Sequence, residues 1–133
     1  MRIKTSEATG CVLDWLVAQA GGLFDRDCPW PDGTPRKAAV WTPVEGVYLM
    51  TTGKAFCPSA NWAQGGPIIE LEKLVVGPSA GHRPVGVQWT ALRMGVLDKD
   101  IHRQVGPTPL VAATRCFVAS RLGDEVDVPE ELL

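Results

Sequence analysis

Residues 106–123 read Gly106-Pro107-Thr108-Pro109-Leu110-Val111-Ala112-Ala113-Thr114-Arg115-Cys116-Phe117-Val118-Ala119-Ser120-Arg121-Leu122-Gly123. Thr108 ahead of Pro109 is a helix-start signal. The hydroxyl can accept an orphan amide, and proline at the first helical position has a suitable φ and lacks only a donor that would go unpaired. Leu110, Ala113 and Phe117, extended by Cys116, recur on one face and predict an apolar stripe. Arg121 falls in the last turn, where it complements the helix dipole, and Gly123 stops the helix. Beyond it, the acidic tail Asp124–Leu133 alternates Val126 and Val128, which predicts an edge strand. Upstream, Leu74–Val76 and Val85–Leu92 read as short strands separated by Gly77-Pro78-Ser79-Ala80-Gly81.

A second helix is expected over Glu7–Ala20, with Ala8, Cys11, Val12, Trp15 and Ala18 on its buried face. Thr5 or Ser6 would cap it, and Gly21-Gly22 would end it. Gly10 within it suggests close packing, because glycine there otherwise costs up to about 1 kcal/mol relative to alanine. Residues 23–43 read as loop, with three prolines in the eight residues Cys28-Pro29-Trp30-Pro31-Asp32-Gly33-Thr34-Pro35. Val44–Thr52 is rich in β-branched and aromatic residues and reads as a strand. A long loop, Gly53–Pro67, leads to a short strand at Ile68-Ile69-Glu70-Leu71. These elements predict an α+β fold, with two main helices on a small, mostly antiparallel sheet and long Gly/Pro-rich loops.

The chain has 133 residues, 45% of them hydrophobic and 21% charged, which suits one domain over 1–133 with a core of its own. The 14 glycines and 11 prolines are scattered, so they punctuate loops rather than mark a disordered tail. The net charge of −2 offers no global attraction for nucleic acid or an anionic membrane. Arg83, Arg93, Lys99 and Arg103 give the middle a basic lean that Asp98 and Asp100 offset. No apolar run approaches the length of a spanning helix and no secretory signal opens the chain, so the expected location is cytoplasmic.

Four cysteines, Cys11, Cys28, Cys57 and Cys116, stand apart without a C-x-x-C pair, and His82 and His102 are isolated. Reduced thiols are therefore expected, with no metal and no cofactor. No Walker loop, G-x-S-x-G or H-E-x-x-H occurs, so the expectation is a protein that is not an enzyme. The carboxylates Asp14, Glu70, Asp98, Asp124 and Glu125 have no pairing pattern. Cys28 or Cys57 with His82 or His102 would make a nucleophilic dyad only by chance of folding.

The segment Cys57-Pro58-Ser59-Ala60-Asn61-Trp62-Ala63-Gln64-Gly65-Gly66-Pro67-Ile68-Ile69-Glu70 resembles P-S-x-D-W-A-Q-G-G-P-I-I-E of the NinX-like phage proteins. Residues 106–116 are similar to their G-x-T-P-L-x-A-A-M-R-C, and residues 118–129 to their V-A-S-K-L-G-D-E-V-x-V-P. Lys4-Thr5-Ser6-Glu7 and Leu13-Asp14-Trp15 match as well. The resemblance implies a small accessory protein of tailed phages or prophages, acting in the host cytoplasm. Asn61 stands where the family has aspartate and Thr114 where it has methionine. The first change removes a charge and argues against a catalytic or metal role there.

Asn61-Trp62-Ala63-Gln64-Gly65-Gly66-Pro67 is the most unusual local composition, and long irregular loops are often functional. Trp62 offers a stacking face, Gln64 a donor and an acceptor, and the Gly65 and Gly66 amides a close approach. The helix terminus at Thr108 is a potential anion site, with Arg115 two turns along. Asn61, Trp62, Gln64, Gly65, Gly66, Thr108 and Arg115 are thus the candidate ligand site, suited to a small nucleotide-like molecule. By analogy with small phage proteins that sequester nucleotide immune signals, an anti-defence sponge is the leading expectation. A protein-interaction module acting on a host or phage enzyme is the alternative. The bland reading of the same residues is a glycine turn pinned by a core tryptophan, an ordinary N-cap and a solvated arginine. Trp15 and Trp89 are expected in the core, while Trp30 and Trp41 suit a pocket rim or a subunit interface in a homo-oligomer.

Overall fold

The computed structural model describes residues 1–80, 88–94 and 101–133. Its centre is the helix read from residues 106–123, α3, spanning Pro109–Leu122. Thr108 caps it as expected, accepting from the Val111 amide at 3.2 Å. The expected single stripe is an underestimate, because residues 112–119 are all buried, including Thr114 and Arg115. A helix buried nearly all round must be covered on several sides. Ala112, Ala113 and Cys116 pack on a sheet, with Leu74, Ala91 and the partly buried Trp89. Phe117 and Val118 pack on a different helix, with Leu13, Leu16 and Val17.

That helix, α1, spans Gly10–Ala20. It is shorter than the expected Glu7–Ala20, because Thr5–Glu7 forms a separate 3-10 turn. Thr5 does not cap α1; its buried hydroxyl donates to the Gly123 carbonyl at 2.7 Å. Gly10 is explained by backbone rather than packing, since its φ is +55° and nothing lies near an added Cβ. The buried face is rotated from the expected one. Leu13, Leu16, Val17 and Ala18 are buried, while Cys11 is exposed.

Strand β1 (Arg2–Lys4) pairs antiparallel with β7 (Glu125–Asp127), the strand expected in the acidic tail. Val126 and Val128 both join the core. The strand expected at Val44–Thr52 is the second half of a hairpin. Strands β2 (Ala39–Thr42) and β3 (Gly46–Leu49) flank a turn in which Val44 is 94% exposed. This hairpin covers α1 through Ala39 and Val47, with Trp15 and Trp41 against them. The third sheet has the order β4-β5-β6, all antiparallel, from Val75–Pro78, Trp89–Arg93 and His102–Gly106. Of the expected strand Val85–Leu92, residues 85–87 lie outside the described residues, as do His82, Arg83, Asp98, Lys99 and Asp100.

The largest correction concerns residues 53–71. The expected loop Gly53–Pro67 and strand Ile68–Leu71 give way to a third helix, α2, over Trp62–Glu72. Asn61 is its N-cap, accepting from the Ala63 amide at 2.8 Å, and Lys73 ends it at φ 54°. Pro67 sits inside the helix and removes one ladder donor. Three helices and three small antiparallel sheets, counted among the described residues, make the fold α+β as expected.

Candidate functional site

Docking of α2 depends on the turn before it. The Ser59 amide donates to the Asp14 carboxylate of α1 at 3.0 Å. Burial pushes the Asp14 carboxyl above its ordinary value, and the bonds from Ser59 only partly oppose that. Gln64 accepts from the Cys57 amide at 2.6 Å and donates to the Ala55 carbonyl at 2.8 Å. Gly65 then touches α3. An added Cβ would collide with the Pro58 carbonyl oxygen and stand 2.7 Å from Leu110 Cδ2.

These contacts leave a cleft of about 350 Å³ between α1, α2 and α3. Val17, Leu23, Phe56, Ile68 and Phe117 give it apolar walls, while Arg26, Gln64, Glu72 and Arg121 give it polar ones. Leu71 stands at its edge, 79% exposed. The Arg121 guanidinium lies over the Phe117 ring, 5.2 Å from its centroid, and bonds Glu72 Oε1 at 2.6 Å. Arg93 approaches the other Glu72 oxygen at 3.5 Å. Mostly apolar walls with a few charged groups are the usual make-up of a small-molecule site, and the volume falls within the usual range of about 300–1,000 Å³.

Of the seven residues expected to form the site, Gln64 alone lines this cleft. Asn61 serves as a cap, and Trp62 opens α2 with its side chain 59% exposed. Gly65 is buried by close packing, while Gly66 has open space beside it. Thr108 uses its oxygen on its own helix. Arg115 is buried in the fold. Its Nε donates to the Ala8 carbonyl at 2.9 Å and a terminal nitrogen to the Val105 carbonyl at 2.8 Å, and burial lowers its pKa. The structure thus brings α2 and the start of α3 together at Gly65 and Leu110, with Gln64 and Arg115 each bonded to backbone.

The cleft residues Arg26, Phe56, Glu72, Phe117 and Arg121 were not singled out as a group by sequence. The available signal was α2 itself, since a helix ending at Glu72 puts that carboxylate beside the last turn of α3. Two of the thiols donate to backbone carbonyls, and His82, one candidate partner for Cys28 or Cys57, lies outside the described residues. Cys116 donates to the His102 carbonyl at 3.4 Å, and burial pushes its thiol up to about 11. Cys28 donates to the Lys37 carbonyl. Among the described residues no group of three or more His, Cys, Asp or Glu is placed to hold a metal ion. Nor, among those residues, is any helix long and apolar enough to cross a membrane. Trp30 lies under the Arg36 guanidinium, 3.7 Å away.

A family model described as Bacteriophage P22, NinX matches residues 4–121, which include every residue of the cleft. No curated protein matches the chain.

Proposed function

The chain belongs to the bacteriophage P22 NinX family, and from that membership we propose that it is a phage accessory protein holding a small, flat, nucleotide-like anion in the cleft between α1, α2 and α3. The observation that carries the reading is the pairing of two aromatic rings, Phe56 and Phe117, with two guanidiniums, Arg26 and Arg121, around one opening. Aromatic walls give a flat ligand apolar contact and guanidiniums hold anionic oxygens. The surrounding groups favour holding over reacting: Glu72, the carboxylate of the cleft, is tied to Arg121 and Arg93. Binding without turnover suits sequestration of a host signalling nucleotide.

A thermal-shift panel of mono-, di- and cyclic nucleotides and ADP-ribose derivatives tests this. A ligand at about 100 times its Kd adds roughly 2.7 kcal/mol, a rise in midpoint of about 8–15 °C for a chain of this size. Phe117→Leu should weaken the hit. Trp62→Ala separates two locations: it leaves a ligand in the cleft unaffected and weakens one stacked at the start of α2. Exposed Trp62 and Leu71 on α2, with exposed Val75 at the start of β4, favour a second reading, docking of a protein partner there. A flat panel, with a host protein that co-purifies and is lost on Leu71→Glu, would select it.

A further inference from the structure

Glu72 is in an electrostatically poor place. It is the last residue of α2, where the helix dipole disfavours a carboxylate, yet its side chain is only 13% exposed. Two cations hold it there, Arg121 at 2.6 Å and Arg93 at 3.5 Å. Arg121 is also the cation of the cleft that lies against an aromatic ring, where the anionic end of a flat ligand would be received. Glu72 therefore occupies the guanidinium that an incoming anion needs.

We infer that Glu72 selects the charge of the ligand, acting as a resident carboxylate that a ligand anion displaces from Arg121. This rests on the cleft being the ligand site. Arg26 and Arg121 against Glu72 leave the charged lining of the cleft with an excess of positive charge, so an anion is still attracted. A singly charged ligand gains little, because it replaces one carboxylate contact with another of the same charge. A phosphate monoester carries up to two negative charges and three acceptor oxygens, so it gains more from Arg121 than Glu72 loses. Neutral flat molecules gain only the apolar walls. The cleft is thus tuned for a phosphorylated aromatic ligand over its uncharged or singly charged relatives.

Three probes with one ring system separate the effects: 1-naphthol, naphthalene-1-sulfonate and 1-naphthyl phosphate, titrated calorimetrically at pH 8 into the full chain. The unmodified protein should bind the phosphate most tightly. Glu72→Gln keeps the shape and frees Arg121, so both anions should tighten, by roughly three- to fivefold for one partly exposed ion pair, while naphthol is unchanged. Arg121→Gln gives the opposite sign, weakening both anions and sparing naphthol. It provides an independent readout if Glu72→Gln melts early. A Glu72→Gln response that ignores probe charge, or an Arg121→Gln variant that keeps both anions, overturns this inference alone. Failure of all three probes to bind overturns the cleft reading and this inference with it.

Discussion

Arg115 shows how one residue can carry a fold while its sequence position suggests a ligand. Its guanidinium bridges two backbone carbonyls, one at Ala8 ahead of α1 and one at Val105 in β6. It is a buried cation whose hydrogen bonds go to dipoles, an arrangement that suits the planar fork of arginine and not the single ammonium of lysine. Arg115→Lys should therefore cost about 1–3 kcal/mol by leaving a buried acceptor unpaired, read as a shift in urea midpoint at unchanged m-value. An unchanged midpoint would place Arg115 among the dispensable residues. None of this was legible from residues 108–115, which gave only a helical spacing. The Ala8 partner is 107 positions away in the chain, and a pairing at that distance has no local signature. Thr108 was legible because a cap bonds within its own turn.

At the scale of an element, α3 was readable and α2 was not, and the difference lies in what stabilises each. The ends of α3 are written in local chemistry, threonine and proline at the start and glycine after the stop. Helix α2 contains Gly65, Gly66 and Pro67, all poor helix formers, so local propensity favours a loop. Tertiary contacts override it. Gly65 packs without a side chain against Pro58 and Leu110, while Ile68 and Ile69 reach two different core clusters. The adjacent glycines should consequently respond with opposite sign. Gly65→Ala should destabilise by about 2–3 kcal/mol through overpacking, despite a better helix former. Gly66→Ala, with open space beside it, should stabilise by about 0.5–1 kcal/mol. Thermal melts of the two variants decide it, and equal effects would mean that propensity rather than packing governs this helix. The candidate site suffered from the same misreading. Once residues 62–72 are a helix, Trp62 and Glu72 lie at its two ends, and the end bearing Glu72 meets α3 at Arg121.

The whole molecule is organised around α3, with the β4-β5-β6 sheet on one flank and α1 and α2 on others. Asp14 of α1 accepts a buried bond from the Ser59 amide in the turn before α2, so its charge state bears on how the helical side of the cleft is held. Burial, the larger influence, holds the folded Asp14 carboxyl above its unfolded value. Between those two values the native state binds more protons than the unfolded chain, so this group lowers stability as pH rises through that window. Above the folded value the penalty is complete; below the unfolded value it is absent. Asp14→Asn keeps an oxygen to accept from Ser59 and removes the charge. It should raise the urea midpoint at pH 7, with the gain shrinking as pH falls into the ordinary carboxylate range. If Asp14→Asn instead loses stability equally at pH 7 and pH 4.5, the charged form of Asp14 is not the source of the penalty. The Ser59 bond would then depend on a geometry that an amide cannot reproduce, and α2 would be anchored by shape rather than by a tolerated buried charge.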